Sequence, residues 1–225
     1  MNNDIDIHAL ETIEDLNNYN NYIFSKILKN TKKGKLIDFG CGFGGFVKHC
    51  GDNNLDAIGF EINNEAIKKL KINNVPIELD KKNLQNKYEN LVSINVLEHI
   101  KNDNQTIAEF KKILKNNGRL ILYLPHSRYL WTELDELVGH HRRYDKKDLV
   151  SKLERNGFQI KHVEYVDFIG SLVITVTKLL RIKLRYSKNL TIFYDKTIFK
   201  FFKYLDLFFK NIFGKNILIV ADVST

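Results

Sequence analysis

The sequence predicts an α/β fold, a doubly wound and mostly parallel sheet, and three observations carry that reading. From Leu36 onward short β-type runs alternate with helical patterns, which is how βα units are written in a chain. A turn with glycines at 40, 42, 44 and 45 sits directly after the first of those runs and before a helix. A run rich in Ile and Val, Asn216–Val223, closes the chain after an interval of about fifty residues.

The elements follow in order. Ile13, Leu16, Ile23, Ile27 and Leu28 recur at three- and four-residue steps and predict a first helix within His8–Lys29. Strands are expected at Lys35–Phe39, Asp56–Phe60, Pro76–Leu79, Asn90–Asn95 and Arg119–Leu124, with helices near Gly45–Cys50, Asn64–Lys71 and Asn104–Asn116 between them. Asp103 is the expected N-cap of the helix that Gly118 closes; Asp145 and Asp148 cap another that Gly157 ends. Phe158–Val166 alternates like a strand, which brings the count to seven. The interval before the last strand is too long for a bare loop and predicts helices near Ser171–Arg185 and Thr197–Ile212, an insertion over about 168–214. Nothing in the composition calls for a second domain, so residues 1–225 are expected to fold as one.

Two cysteines, Cys41 and Cys50, make no disulfide framework and point to a reducing compartment. The stretch Met1–Glu14 is acidic and polar, unlike a secretory leader, and the longest uncharged apolar run, Phe168–Thr177, is too short to span a bilayer. A cytoplasmic location is expected, with peripheral membrane contact as a variant. The net charge of +8 favours an anionic partner: a phosphorylated substrate, a nucleic acid or a membrane surface.

The glycine turn lies where doubly wound sheets bind nucleotides. Gly40, Gly42 and Gly44 tolerate positive φ and carry no Cβ, so the backbone can approach an adenosyl group closely. Gly40, Gly42 and Gly45 also satisfy GxGxxG, and the loop alone does not separate S-adenosylmethionine (SAM) from NAD. Three features do. Asp38 puts an anion beside the loop, which suits a cationic ligand better than a pyrophosphate. Glu61, ending the second strand ahead of Ile62, can accept from two ribose hydroxyls. Asp80 follows the third strand, within reach of an adenine amino group. As isolated residues, Asp38 and Glu61 could equally cap strand ends.

These residues resemble the class I SAM-dependent methyltransferases over nearly the whole chain. The first motif of that family matches Asp38, Gly40, Cys41, Gly42 and Gly44, its ribose acid Glu61 and its adenine-side acid Asp80. The segment from Ser93 through Asn95 to Ile100 resembles the fourth motif of the small-molecule branch, and Tyr123–Pro125 and Gly139–Tyr144 (Gly-His-His-Arg-Arg-Tyr) resemble a subgroup with mostly unassigned substrates. The resemblance implies a Rossmann-like sheet with an antiparallel last strand, SAM as methyl donor and S-adenosylhomocysteine as product. It implies a small-molecule, glycan-linked or lipid-linked acceptor, methylated at O or N. The alternatives are an RNA methyltransferase, favoured only by the basic charge, and a non-catalytic SAM- or NAD-binding module. No Asp/Asn-Pro-Pro-aromatic segment follows the fourth strand, which disfavours methylation of exocyclic base amines.

Methyl transfer from a sulfonium relies on positioning and water exclusion; a general base is needed only where the acceptor must shed a proton. His99, His126, His140 and His141 are the candidate bases. Some related catechol-, quinol- and RNA-end methyltransferases hold a divalent metal with a Glu three residues ahead of a Glu-His pair. Here that position is Asn95, ahead of Glu98 and His99, and no metal is expected. Residues 125–145 have the composition of a cover over the site: Arg142 and Arg143 could clamp an anionic group with Tyr144 and Trp131 beside it, or could pair with Glu133, Asp135 or Glu136. Within 196–213 the spacing of Phe199, Phe202, Leu205, Phe209 and Phe213 predicts an amphipathic helix that packs on the domain, joins a homodimer or meets a membrane.

Overall fold

The computed structural model describes residues 11–182 and 187–224. Its centre is a seven-stranded sheet in the order β3-β2-β1-β4-β5-β7-β6. The strands are β1 (Leu36–Phe39), β2 (Ala57–Phe60), β3 (Ile77–Glu78), β4 (Tyr88–Ile94), β5 (Leu114–Pro125), β6 (Phe158–Val166) and β7 (Asn216–Val223). The first five pair in parallel, and β7 runs antiparallel to both β5 and β6. This is the Rossmann-like sheet with an antiparallel last strand that the motifs imply.

Helices cover both faces, so the central strands are apolar on both sides. Along β5, Leu120, Leu122 and Leu124 face a cluster with Ile107 and Phe110 of α4 (Asp103–Ile113) and Leu149 and Leu153 of α6 (Lys146–Arg155). The intervening Ile121 and Tyr123 face Ile23 and Ile27 of α1 (Asn17–Leu28) and Phe46 and Cys50 of α2 (Gly45–Asp52). Period-two alternation of the strand thus divides one run of apolar residues between two cores. Other helices are α3 (Asn64–Ile72), α5 (Glu133–Leu137), α7 (Phe168–Leu179) and α8 (Lys188–Tyr194).

Several boundaries differ from expectation. The N-cap of α4 is Asn102, whose side chain accepts from Gln105 N, while Asp103 turns inward to bind Tyr144, Arg142 and Lys152. That helix ends at Ile113, and β5 begins at Leu114; Gly118 lies within the strand, beside a register shift, because Leu114 pairs with Tyr88 before Arg119 pairs with Asn90. Asp145 stands at the N-terminus of α6, and its carboxylate takes Arg128 Nε rather than a backbone amide. Positive φ at Gly157 ends that helix as expected.

The first helix is broken at Leu16, and its start at 8–10 lies outside the described residues. The amides of Asn18 and Tyr19 donate to Asp195 at 3.2 and 2.7 Å, so a carboxylate of the insertion caps α1 from 177 residues away. Asp206 does the same for α7, accepting from Asp167 N and Phe168 N at 2.9 and 2.8 Å. These two acids explain why Thr197–Ile212 is not one helix. The chain passes through a π turn at Asp195–Phe199 and then short α and 3-10 turns, which aim Asp195, Phe199 and Asp206 inward. Of the expected stripe, Phe199 is fully buried against Tyr19 and Tyr22, whereas Phe202 is half exposed. The other expected helix runs Phe168–Leu179, and residues 183–186 lie outside the described part. Among the described residues no helix is long and apolar enough to cross a membrane.

Candidate functional site

The carboxyl ends of β1, β2, β4 and β5 form one edge of the sheet, and the register of β7 and β6 brings their connection to the same edge. Pro125 at the end of β5 pairs with Asn216 at the start of β7, and Asn216 pairs with Val166 at the end of β6. Insertion, cover and glycine loop therefore share the edge where open α/β sheets hold ligands.

The loop after β1 is shaped by contacts that leave no space for side chains. Gly40, Gly42 and Gly44 have φ of 79°, 55° and 83°. A Cβ on Gly40 would lie 2.5 Å from Val96, and one on Gly44 2.8 Å from Leu70 and Val75. Glu61 ties this loop to the end of β2: one carboxylate oxygen accepts from Gly42 N at 2.9 Å, the other from Ile62 N and Asn63 N at 2.7 and 2.8 Å. Ile62 is 81% exposed beside it, an apolar surface at the mouth of the loop. Asp80 caps a short 3-10 turn, accepting from Lys82 N, and is exposed. Asn95, at the end of β4, adopts positive φ and donates its amide to Tyr123 O.

Asp38 is the outlier. It is buried, its Oδ1 has no hydrogen-bond partner, and burial, with Glu61 nearby, pushes its carboxyl up to about 8. A buried polar atom left unpaired costs stability. Cys41 and Cys50 are free and buried, and burial raises both thiols, away from the thiolate needed for nucleophilic chemistry.

The cover from Pro125 to Asp145 is held differently from expectation. Both arginines are paired within the chain. Arg143 binds Asp135 in a bidentate pair at 2.8 and 3.0 Å, one of the pairings the sequence admitted, and Arg142 binds Asp103 at 2.8 Å and Lys101 O at 2.7 Å. Tyr144 is buried, donating to Leu97 O and Asp103. Trp131 donates Nε1–H to Glu136. Of the four histidines, His126 is packed between Tyr165 and Phe213, with Nδ1 3.0 Å from Gly214 O, and burial lowers its pKa; it joins cover to insertion. His141 is exposed, and its amide donates to Glu98 O. His99 and His140 meet edge to face at 4.7 Å, and burial pushes His99 down to about 4. His140 Nδ1 lies 2.8 Å from Asp135, a carboxylate the sequence offered only as an arginine partner. Its five-residue spacing from His140, across a helix end, gave no helical or strand signal.

A family model described as a methyltransferase domain matches residues 8–163. The chain belongs to the class I SAM-dependent methyltransferase family. The match stops inside β6, so the insertion and β7 lie beyond it. This methyltransferase-family chain is 30% identical over 150 residues to an uncharacterized protein of Methanocaldococcus jannaschii, a stretch that is 65% of this chain and 64% of that protein. The chain thus spans under two thirds of that relative's length. Its fold is similar to a SAM-dependent methyltransferase of Archaeoglobus fulgidus (TM-score 0.62, 18% identity, 89% of this chain and 91% of that one). It is similar also to one from Mesorhizobium loti (0.58, 16%, 89% and 95%) and to phosphoethanolamine N-methyltransferase 2 of Haemonchus contortus (0.54, 16%, 86% and 49%), the latter in complex with SAM.

Proposed function

We propose that the protein transfers a methyl group from SAM to an oxygen or nitrogen of a small, apolar or lipid-linked acceptor. The observation that carries the donor half is the buried Asp38, whose Oδ1 has no hydrogen-bond partner, beneath a loop with no space for Cβ atoms at Gly40 and Gly44. A cation is the ligand that rewards a buried carboxylate there. In this reading Gly40, Cys41, Gly42 and Gly44 lie against the donor, Glu61 takes the ribose with Ile62 against the base, Asp80 and Asn95 border the adenine and methionine ends, and SAM supplies an electrophilic methyl on a sulfonium. The chain's own contribution is to orient the donor, exclude water and neutralise charge at Asp38.

A proton balance tests the donor site. Asp38 is mostly protonated at pH 7 because its carboxyl is raised to about 8, and a cationic ligand favours the carboxylate. SAM binding at pH 7 is therefore expected to release close to one proton per chain, with affinity rising through pH 7 and levelling above about 8. Calorimetry in buffers of different ionisation enthalpy reads this directly. No proton release, or equal release in Asp38→Asn, removes Asp38 from the donor site.

The acceptor half rests on the insertion. Most exposed large apolar side chains among the described residues belong to it, among them Leu179, Leu190, Phe201, Leu207 and Phe208, with Arg181, Lys196 and Lys200 exposed between them. Such an apolar and basic surface at the ligand edge suits an anionic membrane or an amphiphilic acceptor. Tritiated methyl transfer to fractionated cell extract should place label in the lipid or small-molecule fraction. The protein should also co-sediment with anionic vesicles at low salt, more weakly as salt rises. Label confined to RNA sinks the acceptor reading; a dimer that Phe202→Asp dissociates, with no vesicle binding, makes this surface a subunit interface.

A further inference from the structure

We propose that Glu98, His99 and His140 form a binding site for one divalent transition-metal ion. Each offers one ligand atom, and the three atoms lie within 4.8 Å of one another, the one such cluster of metal-ligating side chains found among the described residues. Their placement follows from the fold. Glu98 and His99 sit on the 3-10 turn Leu97–His99 that leaves β4 at the ligand edge, and His140 comes from the cover, docked there by the bond from His141 N to Glu98 O at 2.8 Å. The third ligand is thus not position 95, where Asn95 argued against a metal, but a residue about forty positions downstream that only the closed cover delivers.

A second observation points to the same ligand. Glu98 is fully buried, and neither carboxylate oxygen has a hydrogen-bond partner; its nearest cationic candidate is His140 Nε2 at 3.8 Å. Buried carboxylates are otherwise paired or bound to metals, because an unpaired one is expensive. The histidines are prepared as ligands. With Nδ1 engaged by Asp135 at 2.8 Å, His140 presents Nε2 to Glu98 at 3.8 Å. The His99 ring meets the His140 ring edge to face at 4.7 Å. Bonds of about 2.0–2.2 Å set tetrahedral ligand atoms roughly 3.4 Å apart, so closure asks for movements of at most about 1.5 Å, within the reach of side-chain rotation. Two imidazoles and one carboxylate select zinc, iron(II), cobalt or manganese over magnesium, which prefers oxygen. Three protein donors leave a coordination position for water or for an oxygen of the acceptor. The test reads metal binding itself and does not depend on methyl transfer.

The test is Co2+ binding to the full chain after chelator treatment, followed by visible spectroscopy, by titration and by melting temperature. Wild type is expected to take up one Co2+ per chain with visible bands that Zn2+ displaces, and to melt higher when loaded. Glu98→Gln and His140→Gln should each weaken binding by about 100-fold or more, since loss of outer partners alone costs about 10- to 100-fold. Metal-free Glu98→Gln should melt no lower than wild type, because a neutral isostere replaces an unpaired buried acid; this separates ligand loss from misfolding. Failure of wild type to bind a stoichiometric ion, equal binding by both variants, or a preference for Mg2+ over Co2+ would overturn the assignment.

Discussion

Glu61→Ala is expected to weaken SAM binding by about 10- to 100-fold, the loss of charge-assisted hydrogen bonds worth roughly 1.5–3 kcal/mol. The structure adds a second reason. The same carboxylate accepts from Gly42, Ile62 and Asn63, so its removal frees three amides and releases the glycine loop from the end of β2. Glu61→Gln keeps one acceptor oxygen and should fall between alanine and wild type. Calorimetric titration with SAM, S-adenosylhomocysteine and NADH reads the series. Wild-type SAM affinity in the alanine variant, or NADH binding of comparable strength, defeats the assignment of this loop.

The largest expected loss of stability comes from Asp135→Ala, at about 3–5 kcal/mol, the range for removing one partner of a buried ion pair. Asp135 is buried, and its carboxylate holds Arg143 in two hydrogen bonds, His140 Nδ1 and Thr132 N. Burial pushes that carboxyl up, but the bonds to His140 and Arg143 outweigh it and bring it down to about 2. A depressed carboxylate stabilises the fold above its unfolded pKa, near 4, and that contribution disappears as pH falls toward 2. Chemical denaturation at several pH values should therefore show wild type and Asp135→Asn far apart at pH 6 and converging as pH falls from about 4 to about 2. A constant gap across that range would mean that the carboxylate's charge is not what holds the cover.

The parts of the site that were legible in the chain are those carried by local geometry. Gly40, Gly42 and Gly44 stand where positive φ and a missing Cβ are needed, and Glu61 stands at a strand end with the loop it bonds; both are matters of short-range spacing. The pairings in the cover were legible only in part, because composition does not say where a charge ends up. Arg142 and Arg143 read either as an anion clamp or as partners of nearby acids; Arg143 pairs with Asp135, one of those acids, whereas Arg142 and Tyr144 bind Asp103, about forty residues away on another helix. His126, one of four candidate bases, packs between Tyr165 and Phe213, on elements that join it only when β5, β6 and β7 align.

What the sequence by itself determined is the βα alternation, the seven strands and the glycine loop, because periodicity and turn chemistry act between neighbours in the chain. What only the tertiary structure decided is the pairing of buried charges. Asp195 caps α1, Asp206 caps α7 and Asp135 orients His140 toward Glu98. The physical reason is that a charge removed from water must find its partner in space, and partners 177 residues apart leave no period in the sequence.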